Sequence, residues 1–299
     1  MDACTPKPLQ THSQKYRARK RAKDEPGYLK HNAKVMREWR RTHKEEWARW
    51  CANDPNYRLT GIRREGVKKG YGWGADMTDE VCYAMMKSGC FYCDFTSPDY
   101  LNGIDRLDNT VGYVLSNSVR CCKFCNFMKT CLDPTTFVER CVHIASCQGS
   151  GAEKFPSAWG DRLPASFWSY KDRAKKKGLP FEISREQFDK FRLTPCRYCQ
   201  RAVDAMNKSG VDRVDNALGY TMSNCVACCS ECNLMKRHRS HDEFMSTIFR
   251  VANKAPTLQF PPGISRCYRV ITKRTVKTPA PVHPRTRLPG NGKKKAGTS

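Results

Sequence analysis

Long apolar runs are missing from this chain of 299 residues: none approaches the roughly 18 that a membrane-spanning helix needs. A soluble protein with no membrane partner is therefore expected. Apolar side chains make up only 39% of the sequence, so any core is thin. Acidic residues are also scarce, with 29 Asp plus Glu against 54 Lys plus Arg and a net charge of +25. That excess exceeds what solubility requires and fits a polyanion, nucleic acid before anionic membrane. The opening MDACTPKPLQTHSQ has no apolar h-region, so a cleaved secretory signal is not expected. Eighteen cysteines in that setting suggest metal and reduced thiols, in an intracellular, nucleic-acid-associated protein. The KKK near the end fits a nuclear signal or a phosphate-binding tail without deciding between them.

What the chain does have, it has twice. Residues 102–129 read NGIDRLDNTVGYVLSNSVRCCKFCNFMK and residues 209–236 read SGVDRVDNALGYTMSNCVACCSECNLMK, identical at 16 of 28 positions without a gap. Each copy carries two Cys-x-x-Cys knuckles: Cys90 with Cys93 and Cys122 with Cys125, then Cys196 with Cys199 and Cys229 with Cys232. Two such turns supply the four-sulfur set that a closed structural zinc site prefers, so two structural zinc ions are expected. A disulfide framework and an iron–sulfur cluster are the competing readings.

Taken in order, residues 1–14 read as disordered and 15–57 as a basic amphipathic helical segment. In the latter, Trp39, His43, Trp47 and Trp50 recur at helical spacing. Its tryptophans are expected chiefly to pack on the first domain, and its charges either line a phosphate backbone or are solvated. Residues 58–145 and 163–254 form two zinc-stapled units of class α+β, joined by a linker at 146–162 and followed by a basic, Pro-rich disordered tail at 255–299. Thr78, Ser184 with Gln187, Asp133 and Ser240 with Glu243 cap helices. In each copy the GIDRLDN or GVDRVDN segment enters a turn, a return strand leads into the second knuckle, and a short helix begins at Asn126 or Asn233. Strand, strand and helix make a ββα unit.

Knuckles around an Asp-led turn, a later Asn, and Cys-Asn at a helix start resemble the zinc-stapled HNH, or ββα-metal (His-Me finger), endonucleases, and most nearly the recombination endonuclease VII-like branch. The resemblance covers roughly residues 78–145 and again 184–252. It implies a catalytic divalent metal on Asp105 with Asn126 and on Asp212 with Asn233, and a loop-pinning part for Asn117 and Asn224. Carboxylate and amide oxygens are hard ligands suited to Mg²⁺ or Mn²⁺; turn and helix capping are the plainer uses of the same residues. The family has a general-base His directly after the turn Asp, and Arg106 or Arg213 stands there in this chain. Arginine cannot take a proton from water, but it can grip a phosphate. Asp108 or Asp215, two residues on, or Tyr113 or Tyr220 after the loop, is then a candidate to help activate water; no His lies inside either motif, and His238 sits beyond only the second. Lys129 and Lys236 are candidate nucleic-acid contacts.

Two functions follow. One is a divalent-metal-dependent endonuclease acting on DNA in preference to RNA, with two sites on one chain and no need to oligomerise because the domain is duplicated. The other is a zinc-stapled nucleic-acid-binding protein that keeps the scaffold without the reaction.

Overall fold

The computed structural model describes residues 25–149, 151, 154–160, 164–205 and 207–268. The disorder expected for 1–14 and for 269–299 lies outside the described residues. The chain is α+β. Helices α1 (Glu25–Thr42), α2 (Lys44–Asn53), α3 (Pro55–Lys68) and α4 (Asp79–Lys87) lead to a two-stranded antiparallel sheet, β1 (Gly103–Arg106) with β2 (Ser118–Cys121). Helices α5 (Lys123–Lys129) and α6 (Pro134–Gly149) follow. The series then returns as α7 (Phe167–Lys176), α8 (Arg185–Arg192), β3 (Gly210–Arg213), β4 (Cys225–Cys228), α9 (Ser230–Lys236) and α10 (His241–Lys254). The two sheets share one register: Asp105 lies opposite Val119, and Asp212 opposite Val226. Among the described residues no helix is long and apolar enough to cross a membrane.

Local signals set most boundaries. Thr78 accepts from the Val81 amide, Asp133 from Thr136, and Ser184 and Ser240 form capping boxes with Gln187 and Glu243. The short helices start earlier than Asn126 and Asn233, because the knuckle cysteines Cys122 and Cys229 serve as their N-caps. Helices α3 and α7 were not anticipated. Asp54 and Ser166 cap them, and each ends just before a glycine at positive φ, Gly70 at 72° and Gly178 at 65°, a stop signal hidden among the lysines.

All eight knuckle cysteines belong to one apolar core, together with Phe137 and Ile144 of α6 and Phe244, Ile248 and Val251 of α10. Helices α6 and α10 pack on each other, and each reaches the other repeat's first knuckle. The Phe155 amide donates to His143 Nδ1, so the ring proton sits on Nε2, which donates to the Cys199 carbonyl at 2.9 Å. In the reverse direction Lys254 donates to the Cys90 carbonyl at 3.3 Å and pairs with Asp94. The fully buried Arg140 pairs with Glu231 at 2.9 Å. Two smaller apolar clusters form around Leu59, Met86 and Ile104 and around Phe167, Phe188 and Val211.

Three expectations change here. The stretch read as a linker is partly core: α6 runs on to Gly149, and Ala158 and Trp159 are buried. The front of the expected disordered tail is docked, with Leu258, Phe260 and Ile264 against the core and the Cys267 amide donating to Asp133. Both stretches hold apolar residues whose burial outweighs the turn-rich composition around them. Trp39, Trp47 and Trp50 pack chiefly on one another and reach the first unit only at its edge, where Trp47 and Trp50 meet Tyr57 in the first turn of α3; α2 has no buried residue.

Candidate functional site

The first knuckle of each repeat is a tight turn closed by a residue at positive φ, Asp94 at 54° and Gln200 at 50°. It is tied to the return strand through the Phe91 and Arg197 amides, which donate to the Arg120 and Ala227 carbonyls at 2.8 Å. The four sulfurs of each set lie within 4.8 Å of one another and are buried. Cys93 and Cys122 are 3.8 Å apart, as are Cys199 and Cys229. Thiolates about 2.3 Å from a tetrahedral zinc ion sit about 3.8 Å from each other, whereas a disulfide needs about 2 Å. No disulfide joins cysteines among the described residues. The Cys125 and Cys232 amides donate to Cys122 and Cys229 sulfur at 3.4 Å, which helps to hold thiolate charge. Each set can therefore hold one structural zinc ion.

The knuckles also build what lies beside them. Tyr92 and Tyr198, each just ahead of the knuckle's second cysteine, donate to Asp105 and Asp212 at 2.9 Å. Burial and the neighbouring carboxylate push both phenols upward, which keeps them protonated as donors. Lys129 and Lys236 approach the same carboxylates at 3.2 and 3.1 Å and donate to the Arg106 and Arg213 carbonyls at 2.8 and 2.9 Å. Both lysines are 0% exposed. They are not nucleic-acid contacts: each is an internal counter-charge, because an ammonium is buried only where a carboxylate and carbonyls replace its water. Burial raises the Asp212 carboxyl, and Lys236 and Tyr198 oppose that shift. The tyrosines were legible but unread, since the knuckles CFYC and CRYC share Tyr.

Arg106 and Arg213 also turn inward. Nη1 of Arg106 donates to the Asn109 and Val111 carbonyls at 3.0 and 2.7 Å, and Nη1 of Arg213 to those of Asn216 and Leu218 at 2.9 and 2.7 Å. This edge of each guanidinium holds the loop, so it is not available to grip a phosphate. Asn117 and Asn224 secure the same loop, accepting from the Asp108 and Asp215 amides and donating to the Gly112 and Gly219 carbonyls. Asp108 accepts from both the amide and the hydroxyl of Thr110, which holds its carboxyl below the usual range. A carboxylate so engaged is a poor proton acceptor. Among the described residues the Asp215 carboxyl accepts from the Ala217 amide alone.

In the second repeat a cleft of about 900 Å³ opens over this arrangement. Asp212 and Asn233 line it, with Arg173, Lys177, Arg213, Arg237 and His238 around them. The Asn233 Nδ2 donates to the Val211 carbonyl at 3.2 Å, leaving its oxygen as the acceptor. Arg237 holds a φ of 55°, a backbone that side chains other than glycine rarely adopt, and the same turn carries His238. Tyr113 and Tyr220 donate backbone amides to the Gly72 and Pro180 carbonyls, which matches Tyr71 of the first repeat to Leu179 of the second. Tyr71 lies flat on Arg106, 3.5 Å from guanidinium carbon to ring centre. By the same match Glu65 stands where the second repeat has Arg173, and by the gap-free alignment of the two motifs Thr130 and Cys131 replace Arg237 and His238.

No family model matches the chain, and no solved structure matches it. It is similar to an uncharacterized protein of Acanthamoeba polyphaga mimivirus, 33% identical over 245 residues. The match takes in 80% of this chain and 45% of that protein, so this chain spans less than half of its relative's length. A match of that extent reaches across both repeats, because residues 90–232 lie centrally in the chain.

The sequence-derived site residues thus divide. Asp212, Asn233 and Arg213 meet at one cleft; Asp105, Tyr92 and Lys129 repeat the buried half of that arrangement. His238 lies just beyond the second 28-residue motif, and its place at the cleft follows from the turn after α9.

Proposed function

We propose that the chain is a divalent-metal-dependent endonuclease acting on DNA, built from two HNH-like units, with the reaction carried by the second repeat. The observation behind this reading is the cleft that gathers Asp212, Asn233, Arg237 and His238. The order of two strands and a helix around a Cys4 set, with Asp on the first strand and Asn on the helix, supports the resemblance to the ββα-metal endonucleases. A carboxylate and an amide oxygen on one wall suit a hard cation in donor type. Bound there, Mg²⁺ or Mn²⁺ would stabilise charge on the phosphate and the leaving oxygen.

The chain's own residues supply the rest. Arg173, Lys177 and Arg237 attract and orient the phosphate backbone. His238 is the imidazole that lines the cleft, the side-chain type most often used as a general base, and it accepts the proton of the attacking water. Arg213 and Lys236 fix the loop and the carboxylate beneath them.

One observation favours the second reading, binding without cutting: Lys236 already neutralises Asp212 and would compete with a divalent cation. Incubating the full chain with duplex, branched and single-stranded DNA, with Mg²⁺ or Mn²⁺ and with a chelator control, separates the two. Metal-dependent cutting is the expected result. Salt-sensitive binding with no cutting under any of these conditions would leave the binding protein.

A further inference from the structure

The arm formed by α1 and α2 has a surface that the cleft does not use. Its rings form a continuous ladder. Trp39 stacks on His43 at 4.9 Å, Trp39 meets Trp47 edge-on at 6.3 Å, and Trp47 stacks on Trp50 at 4.8 Å with planes 18° apart. Tyr57, in the first turn of α3, closes against Trp47 and Trp50 at 5.8 and 5.7 Å. The Arg40 guanidinium lies 4.1 Å over Trp47. Arg40, Trp47 and Trp50 therefore make a column that ends in an accessible ring: Trp50 is 48% and Tyr57 47% exposed. Nothing in α2 is buried, so the fold does not need these rings for its core.

We propose that this arm is a stacking platform for the bases of single-stranded nucleic acid. Every base has a π face that can extend such a column, and a duplex hides those faces within its own stack. Residues 33–53 carry Lys34, Arg37, Arg40, Arg41, Lys44 and Arg49 against Glu38, Glu45 and Glu46, and Glu38 is already paired with Arg41. The free charge around the rings is thus cationic and suits the phosphates that accompany each base. A second copy of a chain carrying +25 is a poorer occupant, because like charge opposes its approach. The arm lies outside the cleft, so the proposal stands whether or not the cleft cuts.

The test uses the full chain and a fluorescein-labelled oligo(dT), read by anisotropy, with a duplex of equal length as the comparison. Trp50→Ala and Tyr57→Ala are the variants; both side chains are half exposed, so the melting temperature should hold. The expected result is roughly tenfold weaker binding of oligo(dT) in the double variant and less than about twofold change for the duplex. Unchanged oligo(dT) binding, or an equal loss for the duplex, would overturn the proposal. So would concentration-dependent self-association of the wild type that the double variant abolishes.

Discussion

Tyr92, Asp105 and Lys129 occupy the first repeat as Tyr198, Asp212 and Lys236 occupy the second, with matching tyrosine distances of 2.9 Å and lysine distances of 3.2 and 3.1 Å. The loops above them are held alike by Arg106 and Arg213. The rims differ. In the first repeat Tyr71 lies on Arg106, and Glu65, Thr130 and Cys131 stand where the second has Arg173, Arg237 and His238. The buried half of each unit answers to the zinc knuckle, whose tyrosine must find a carboxylate, and the carboxylate a cation. The rim carries no such requirement from the core. The two repeats therefore share a buried scaffold, and the second carries a basic mouth.

The comparison is broken most severely at the metal. Cys93→Ser with Cys122→Ser should remove one of two zinc ions, read by elemental analysis. Because both Cys4 sets share one core, the far repeat should lose its structure too, in a single calorimetric transition. Two independent transitions would show separable units. Next in size is the bridge between the halves. Arg140→Met alone should cost about 3–5 kcal/mol in denaturant unfolding because it strands Glu231, while adding Glu231→Leu should recover much of that loss.

A smaller effect on the fold, and a larger one on function, is expected at the rim. His238→Ala should leave stability unchanged, since the side chain is exposed, and lower the cleavage rate at neutral pH by about 100-fold or more. The smallest effect sharpens the loop comparison. Thr110→Ala gives Asp108 the surroundings of Asp215 and should cost about 1 kcal/mol at pH 7. Asp108 is depressed in the folded chain, so its contribution is present above the unfolded carboxylate pKa of about 3.9 and lost as the pH falls below it. The difference from wild type should shrink steadily in urea titrations run at successively lower pH below that value.

The sequence made legible whatever rests on spacing. Cysteine pairs, capping boxes, the strand pair and the repeated Asp and Asn are all local patterns, and the metal sets follow from them directly. Burial was harder to read. Lys129 and Lys236 look like surface cations in a chain of net charge +25, and only the strand beside α5 or α9 reveals the carboxylate that takes them inside. Arg106 and Arg213 mislead in the same way, because their partners are carbonyls and carbonyls leave no mark in a sequence. Trp159 and the stretch around Phe260 sit among turn formers, yet dock on a core assembled from both repeats. The cleft was legible in its parts and not as a place: His238 joins Asp212 only through the turn that follows Lys236.

The most direct test of a reaction confined to the second repeat compares Asn233→Ala with Asn126→Ala in metal-dependent cleavage of branched and duplex DNA. Both asparagines follow a knuckle cysteine at equivalent places, and neither is buried in the shared core. The account predicts that Asn233→Ala abolishes cutting while Asn126→Ala keeps most of it, with both variants retaining two zinc ions. Equal loss in the two variants, or cutting that survives Asn233→Ala, would contradict it.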